Sequence, residues 1–270
     1  MSLTTQLQQP LETLLKNLFL PTFAKSYHDL AEAYEKQGRP YVDYLKELSL
    51  QETEFRYQQR IIRLLKQAKL PRNKILKDFE ISRIPGLSPT QIQTLCRGDF
   101  IDRYENLLIF GNPGTGKTHL SIALAREWCL LGRKVYYTTA SSLVQHLLQA
   151  KANLRLEQFI KKMDHFEILL IDDISYVPYE RHETDVLFTL LAARYEMRSV
   201  LITSNLPFAH WNTIFKDEMT TAAAIDRLVH HSTILELNTE SYRIATAKRQ
   251  TKKLNEKNSK EENNVNISVE

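Results

Sequence analysis

The chain has 270 residues, 43% hydrophobic and 25% charged, with a formal net charge of +4; these are the proportions of a soluble globular protein with one medium domain and a smaller one. No apolar run approaches membrane-spanning length and the start, Met1-Ser2-Leu3-Thr4, lacks a charged-then-apolar signal pattern, so a cytoplasmic protein with no membrane partner is expected. Cys96 and Cys129 have no His or Cys at metal spacing and read as reduced packing residues.

Residues 11–80 read as helical. Leu11, Leu14, Leu15, Leu18 and Phe19 follow the i, i+3, i+4, i+7, i+8 stripe. Pro21 restarts the chain, and Phe23, Tyr27, Leu30, Ala31 and Tyr34 repeat the stripe until Gly38-Arg39-Pro40. A short helix with Tyr41, Tyr44, Leu45 and Leu48 inward is expected next. Ser49 and Glu52 have capping-box spacing, which predicts a new helix from about residue 50 to about residue 69, before Pro71.

At about 100° per residue, Phe55, Ile61, Ile62, Leu64, Leu65 and Ala68 share a broad face of that helix, and Arg56, Arg60, Arg63 and Lys66 line the other. With Lys69, Arg72, Lys74 and Lys77, residues 55–77 carry eight basic side chains and no acid. Solvated faces usually mix signs, so an acid-free stripe points to a phosphate backbone, DNA or RNA.

Residues 81–105 read as a connection. Ser88, Pro89 and Gln91 look like N-cap, first helical position and capping partner of a short helix ending near Gly98-Asp99. From residue 106 strands and helices alternate, the pattern of a parallel sheet covered on both faces. Strands are expected at 106–110, 133–139, 166–173, 198–205 and 232–237, with a helix over 141–149. Residues 248–270 are polar and charge-rich and are expected to be disordered.

The first strand runs into Gly111-Asn112-Pro113-Gly114-Thr115-Gly116-Lys117-Thr118, the spacing G-x-x-x-x-G-K-[ST]. Polyphosphate is gripped by several backbone N–H groups at once, which requires residues without Cβ at sharp turns. The N-terminus of the following helix faces the phosphates, Lys117 reaches the β/γ-phosphates, and the Thr118 hydroxyl ligates Mg²⁺. A strand before and a helix after complete the pattern of a nucleotide site.

Ligands of open α/β sheets sit outside the strand carboxyl ends, so an acid there is the second half of such a site. Asp172 is the candidate metal partner, and Asp173 could orient or deprotonate an attacking water. Asn205, at the end of the next strand, could hold that water or sense the γ-phosphate; turn chemistry before Pro207 accounts for the same residue without function. Arg227 stands among apolar residues after Asp226, where a lone helical arginine is ordinarily a surface or ion-paired residue.

The strings Asp99-Phe100-Ile101, Glu105-Asn106, Gly111–His119, Asp172-Asp173, Thr203-Ser204-Asn205-Leu206-Pro207-Phe208, Trp211 and Ile225-Asp226-Arg227-Leu228-Val229-His230 closely resemble the IstB family. These are AAA+ ATP-binding helper proteins of bacterial insertion sequences, related to DnaC-type helicase loaders. The resemblance spans residues 10–245, with looser motifs in the helical N-terminal part.

The resemblance implies an α/β AAA+ ATPase domain (106–247) with a parallel central sheet flanked by helices, after a small all-helical domain (1–80). It implies an ATPase that uses ATP and Mg²⁺, forms homo-oligomers with ATP at subunit interfaces on double-stranded DNA, and assists a cognate transposase. It adds His119 to the nucleotide-binding residues, and marks Asn205 as the first sensor, Arg227 as an arginine finger acting on a neighbour's ATP, and Arg243 as the second sensor. Many AAA+ proteins have Glu where this chain has Asp173, so slow turnover is expected. The chain ends soon after Arg243, with no room for a helical lid domain, so oligomer contacts are expected to complete the site. A DnaC-like helicase loader is the alternative; a small-molecule kinase would need an acceptor pocket and lid arginines that the sequence does not display.

Overall fold

The computed structural model describes residues 10–175, 178–213, 215, 218–239 and 241–242. The chain divides into two compact units, Met1–Arg63 and Leu64–Glu270, so the division falls inside a long helix rather than near residue 80.

The first unit holds α1 (Leu11–Asn17), α2 (Pro21–Lys36) and, up to Arg63, α3 (Tyr41–Ala68), a helix of 28 residues. The helix start expected at Ser49 does not exist. Ser49 Oγ donates back to the Leu45 carbonyl at 2.8 Å, as a mid-helix serine can. Glu52 is not a capping partner either. Its carboxylate is buried, with 4% of the residue exposed, and accepts from the Thr22 backbone N–H at 2.9 Å and from Arg56 Nε at 2.8 Å. It thereby ties the first turn of α2 to α3. Burial alone would raise this carboxyl's pKa, but the bonds from Arg56 and Thr22 outweigh that and hold it below the ordinary value. Leu15, Tyr34, Leu48 and Ile61 are buried, whereas Tyr41, Leu45, Phe55 and Ile62, expected inward, are exposed.

The second unit is built on a parallel sheet of β1 (Asn106–Phe110), β2 (Val135–Thr139), β3 (Ile168–Asp172), β4 (Ser199–Ser204) and β5 (Ser232–Glu236), in the order β2-β3-β4-β1-β5. Successive side chains leave opposite faces of a strand, and the two cores follow that rule. Leu108, Phe110, Leu169, Ile171, Val200 and Ile202 pack on one face with α7 (Ala140–Ala152), α8 (Leu156–Met163), α9 (Arg181–Arg194) and α10 (Glu218–His230). Leu107, Ile109, Ile168, Leu170 and Leu201 pack on the other with α4 (Pro89–Arg97), α5 (Asp99–Asp102) and α6 (Lys117–Leu130). Strands buried on both faces read as continuous apolar runs, which is why they were legible.

The short helix α4 has the expected capping box: the Ser88 side chain accepts from Gln91 N, and the Gln91 side chain accepts from Ser88 N. Residues 64–80 belong to this unit, with Ala68, Leu76 and Phe79 packed on the α6 side. Both cysteines are free, and burial pushes the Cys129 thiol up to about 12. Helices α8 and α9 were not anticipated. Arg194, at the end of α9 and 1% exposed, donates to the carbonyls of Met163, Phe166 and Ser199 at 2.9–3.0 Å. It fastens α8 to the starts of β3 and β4, and burial lowers its pKa to about 10. No helix among the described residues is long and apolar enough to cross a membrane.

Candidate functional site

The strand order sets the site. Because β4 lies between β3 and β1, the segments leaving all three strands meet at one edge of the sheet.

The glycine-rich turn after β1 is conformationally demanding. Gly111 has φ +151°, and a Cβ there would meet the Leu237 carbonyl oxygen at 2.6 Å. Gly116, with φ +101°, precedes the first residue of α6 and lies against the Phe79 ring. Thr115 Oγ1 donates to the Asn112 carbonyl at 2.9 Å. The Gly114 carbonyl accepts from Tyr242 N at 2.9 Å, while Asn112 and Pro113 are exposed. His119 Nε2 lies 2.9 Å from the Ile75 carbonyl, with its ring beside that of Phe79.

Lys117 is buried, and its Nζ donates to the carbonyls of Gly111 at 2.7 Å and Asn112 at 3.0 Å and to Asn205 Oδ1 at 2.6 Å. Asn205 Nδ2 donates in turn to Asp173 Oδ2. The amide orientation follows from chemistry: an ammonium only donates and a carboxylate only accepts, so oxygen must face Lys117 and nitrogen Asp173. Asp173 Oδ1 accepts from Ser175 N at 3.0 Å and Oγ at 2.7 Å, and Ser175 Oγ accepts from Asn205 N at 2.7 Å. Asp172 Oδ1 accepts from Thr118 Oγ1 at 2.8 Å and from Thr203 Oγ1 at 2.7 Å. The Thr118 hydroxyl and the Asp172 carboxylate are hard oxygen donors of the kind Mg²⁺ prefers, so this pair suits that ion.

Thr203 was named only within a string that carries the family resemblance, with no role of its own, and Ser175 was not named at all. Thr203 had a signal: a hydroxyl near the carboxyl end of an otherwise apolar parallel strand. Ser175 had none, since a serine after a strand is ordinary turn chemistry.

Arg227 lies elsewhere. It is exposed near the end of α10 and lines a cleft with Asn106, Arg198 and Val200 at the amino ends of β1 and β4. Asn106 Nδ2 donates to the Leu228 carbonyl at 3.1 Å, which fixes this end of α10 at the start of β1. Roughly 13 Å of strand therefore separates Arg227 from the turn after Phe110.

Of the basic residues, Arg60, Arg63, Lys66, Lys69 and Arg72 are exposed and Lys74 is half-buried. Arg56 is engaged within its own unit, donating to Glu52 and to the Phe19 carbonyl at 2.6 Å. Arg243 and the tail 248–270 lie outside the described residues.

The family model of IstB-like ATP binding proteins matches residues 13–251. The chain belongs to this family. Among IstB-like relatives, an insertion-sequence ATP-binding protein of Sinorhizobium fredii is 41% identical over 235 residues, covering 87% of this chain and 79% of the relative. The insertion sequence IS21 ATP-binding protein of Pseudomonas aeruginosa is 36% identical, covering 87% and 88%. Among solved structures, the AMPPCP-bound DnaA of Aquifex aeolicus superposes with TM-score 0.53 at 18% identity, covering 68% of this chain and 56% of that one. The DnaC helicase loader superposes with TM-score 0.51 at 17% identity, covering 62% and 97%. At such identities the likeness is one of fold alone, the parallel sheet flanked by helices that was expected.

Proposed function

We propose that this IstB-like chain is an ATP-driven switch: it binds and hydrolyses ATP, assembles on duplex DNA, and in its ATP-bound assembly serves a transposase. The observation that carries the reading is the joining of Lys117, Asn205 and Asp173 at one sheet edge while Arg227 stands at the opposite edge. Relatives named as insertion-sequence ATP-binding proteins support the nucleotide and the transposition setting.

In this reading the turn 111–118 wraps the phosphates with its backbone N–H groups, and Lys117 exchanges its carbonyl partners for phosphate oxygens. Thr118 and Asp172 hold Mg²⁺, which when bound neutralises charge on the phosphates. Asp173, kept in place by Ser175 and Asn205, orients and deprotonates the attacking water. Asn205 touches both Lys117 and Asp173, so it reports the state of the phosphates to the residue that handles the water. Too far from its own site, Arg227 serves the nucleotide of an adjacent subunit, in a head-to-tail contact that repeats from copy to copy.

Arg60, Arg63, Lys66, Lys69 and Arg72 supply the phosphate-backbone contacts, with Lys74 and Arg56 at the margin of the stripe. Duplex DNA binding measured with ATP, with ADP and at rising salt tests the proposal. Tight binding with ATP, weak binding with ADP and a steep loss with salt are expected. Equal binding with both nucleotides, or no salt dependence, would contradict it.

A further inference from the structure

Away from the sheet edge that carries the glycine-rich turn, the structure brings Glu196, His230 and His231 together. One ligand-capable atom from each lies within 4.8 Å of the other two, and all three residues are exposed. We propose that they form a site for a divalent transition-metal ion of the zinc class.

Two imidazoles and a carboxylate are a donor set that suits Zn²⁺, Co²⁺ or Ni²⁺ and poorly suits Mg²⁺ or Ca²⁺, which prefer oxygen. Tetrahedral Zn²⁺ with bonds near 2.1 Å sets its ligand atoms about 3.4 Å apart. His231 Nε2 and Glu196 Oε1 are already 3.6 Å apart. The remaining closure asks at most about 1.4 Å of exposed side chains, within ordinary rotamer adjustment.

The backbone holds the three in place. Glu196 sits in the turn after α9 with φ +57°, His230 is the last residue of α10, and the His231 carbonyl accepts from Asn106 N at 2.7 Å. Tyr195 OH lies 2.8 Å from His230 Nδ1. Such a contact orients a ligating histidine from the second shell when the ion takes the other ring nitrogen. An ion pair between Glu196 and His231 explains those two residues alone. It does not explain why His230 is held by Tyr195 with its ring 4.0 Å from that of His231. A shared ion explains all three, and would tie the turn after α9 to the end of α10.

The test uses the full chain without nucleotide, in excess Mg²⁺ so that oxygen-only sites are filled. Zn²⁺ is titrated calorimetrically and Co²⁺ by its visible absorption. One saturable Zn²⁺ per chain is expected, with the intense Co²⁺ spectrum of a four-coordinate site. His230→Ala, His231→Ala and Glu196→Gln each weaken binding at least tenfold, and Tyr195→Phe about tenfold through loss of orientation. His28→Ala, which removes another exposed histidine paired with acids, leaves binding unchanged. Glu196→Gln keeps size and shape, so its loss of binding cannot be ascribed to unfolding. Absence of saturable Zn²⁺ binding, or unchanged affinity in the His230→Ala, His231→Ala double variant, overturns the proposal. Neither result bears on ATP or DNA, so the proposed function stands or falls separately.

Discussion

The Lys117 ammonium donates to Asn205 Oδ1 at 2.6 Å, joining the first residue of α6 to the residue that follows β4. Through the same amide Lys117 is connected to Asp173. An ammonium and a carboxylate, proposed above as the phosphate contact and the water-handling group, are thus linked by one side chain that offers both a donor and an acceptor.

Asn205→Ala should leave ATP affinity within severalfold of wild type and lower turnover on the order of 10²-fold, the usual cost of one preorganised polar group in such a site. Calorimetric ATP binding and phosphate release, measured side by side, check this. Normal turnover in the variant would mean that Asn205 is only a turn residue before Pro207.

Thr203→Val removes one of the two hydroxyls bonded to Asp172 Oδ1 without changing side-chain shape. The carboxylate then loses an orienting bond worth roughly 1 kcal/mol. Nucleotide affinity should fall severalfold in the presence of Mg²⁺ and stay unchanged in chelator. An equal fall in both conditions would assign Thr203 to packing instead.

Glu52 gives the first unit a pH signature. Its folded pKa is depressed by Arg56 and Thr22, so its stabilisation is complete above the unfolded value of about 4.3 and is lost as pH falls through the folded value. Glu52→Gln should destabilise the full chain by about 1–2 kcal/mol at pH 7 and flatten the acid limb of its thermal stability. An acid limb identical in wild type and variant would exclude Glu52 as its source.

The two halves of the chain differed in legibility for physical reasons. Leu107 to Phe110 and Ile168 to Ile171 are apolar on both faces, so the parallel sheet could be read directly, and each runs into a chemically distinctive segment, which made Lys117 and Asp172 candidates for the site. In the helical half, Ser49 and Glu52 mimic a capping box because sequence spacing cannot tell an N-cap from a mid-helix serine bonded to residue i−4. Glu52 instead serves Thr22, thirty positions earlier, which no local pattern encodes. Phe55 and Ile62 satisfy the helical stripe yet remain exposed, because periodicity identifies a face without saying what covers it. Arg194 was missed for a related reason. Its three carbonyl acceptors come from separated segments, and a buried arginine at a helix end looks like a surface one in sequence.

The position of Arg227 gives the most direct test. In the proposed function, Asp173→Asn retains the turn 111–118 and a normal Arg227 but loses the group assigned to the attacking water, and Arg227→Ala retains the proposed nucleotide site. Each alone should hydrolyse ATP slowly. If the site is completed by a neighbouring subunit, an equal mixture of the two variants contains junctions in which an intact site faces an intact arginine, and turnover should recover to roughly a quarter of wild type. A mixture no more active than the sum of its two components would contradict completion of the site across subunits.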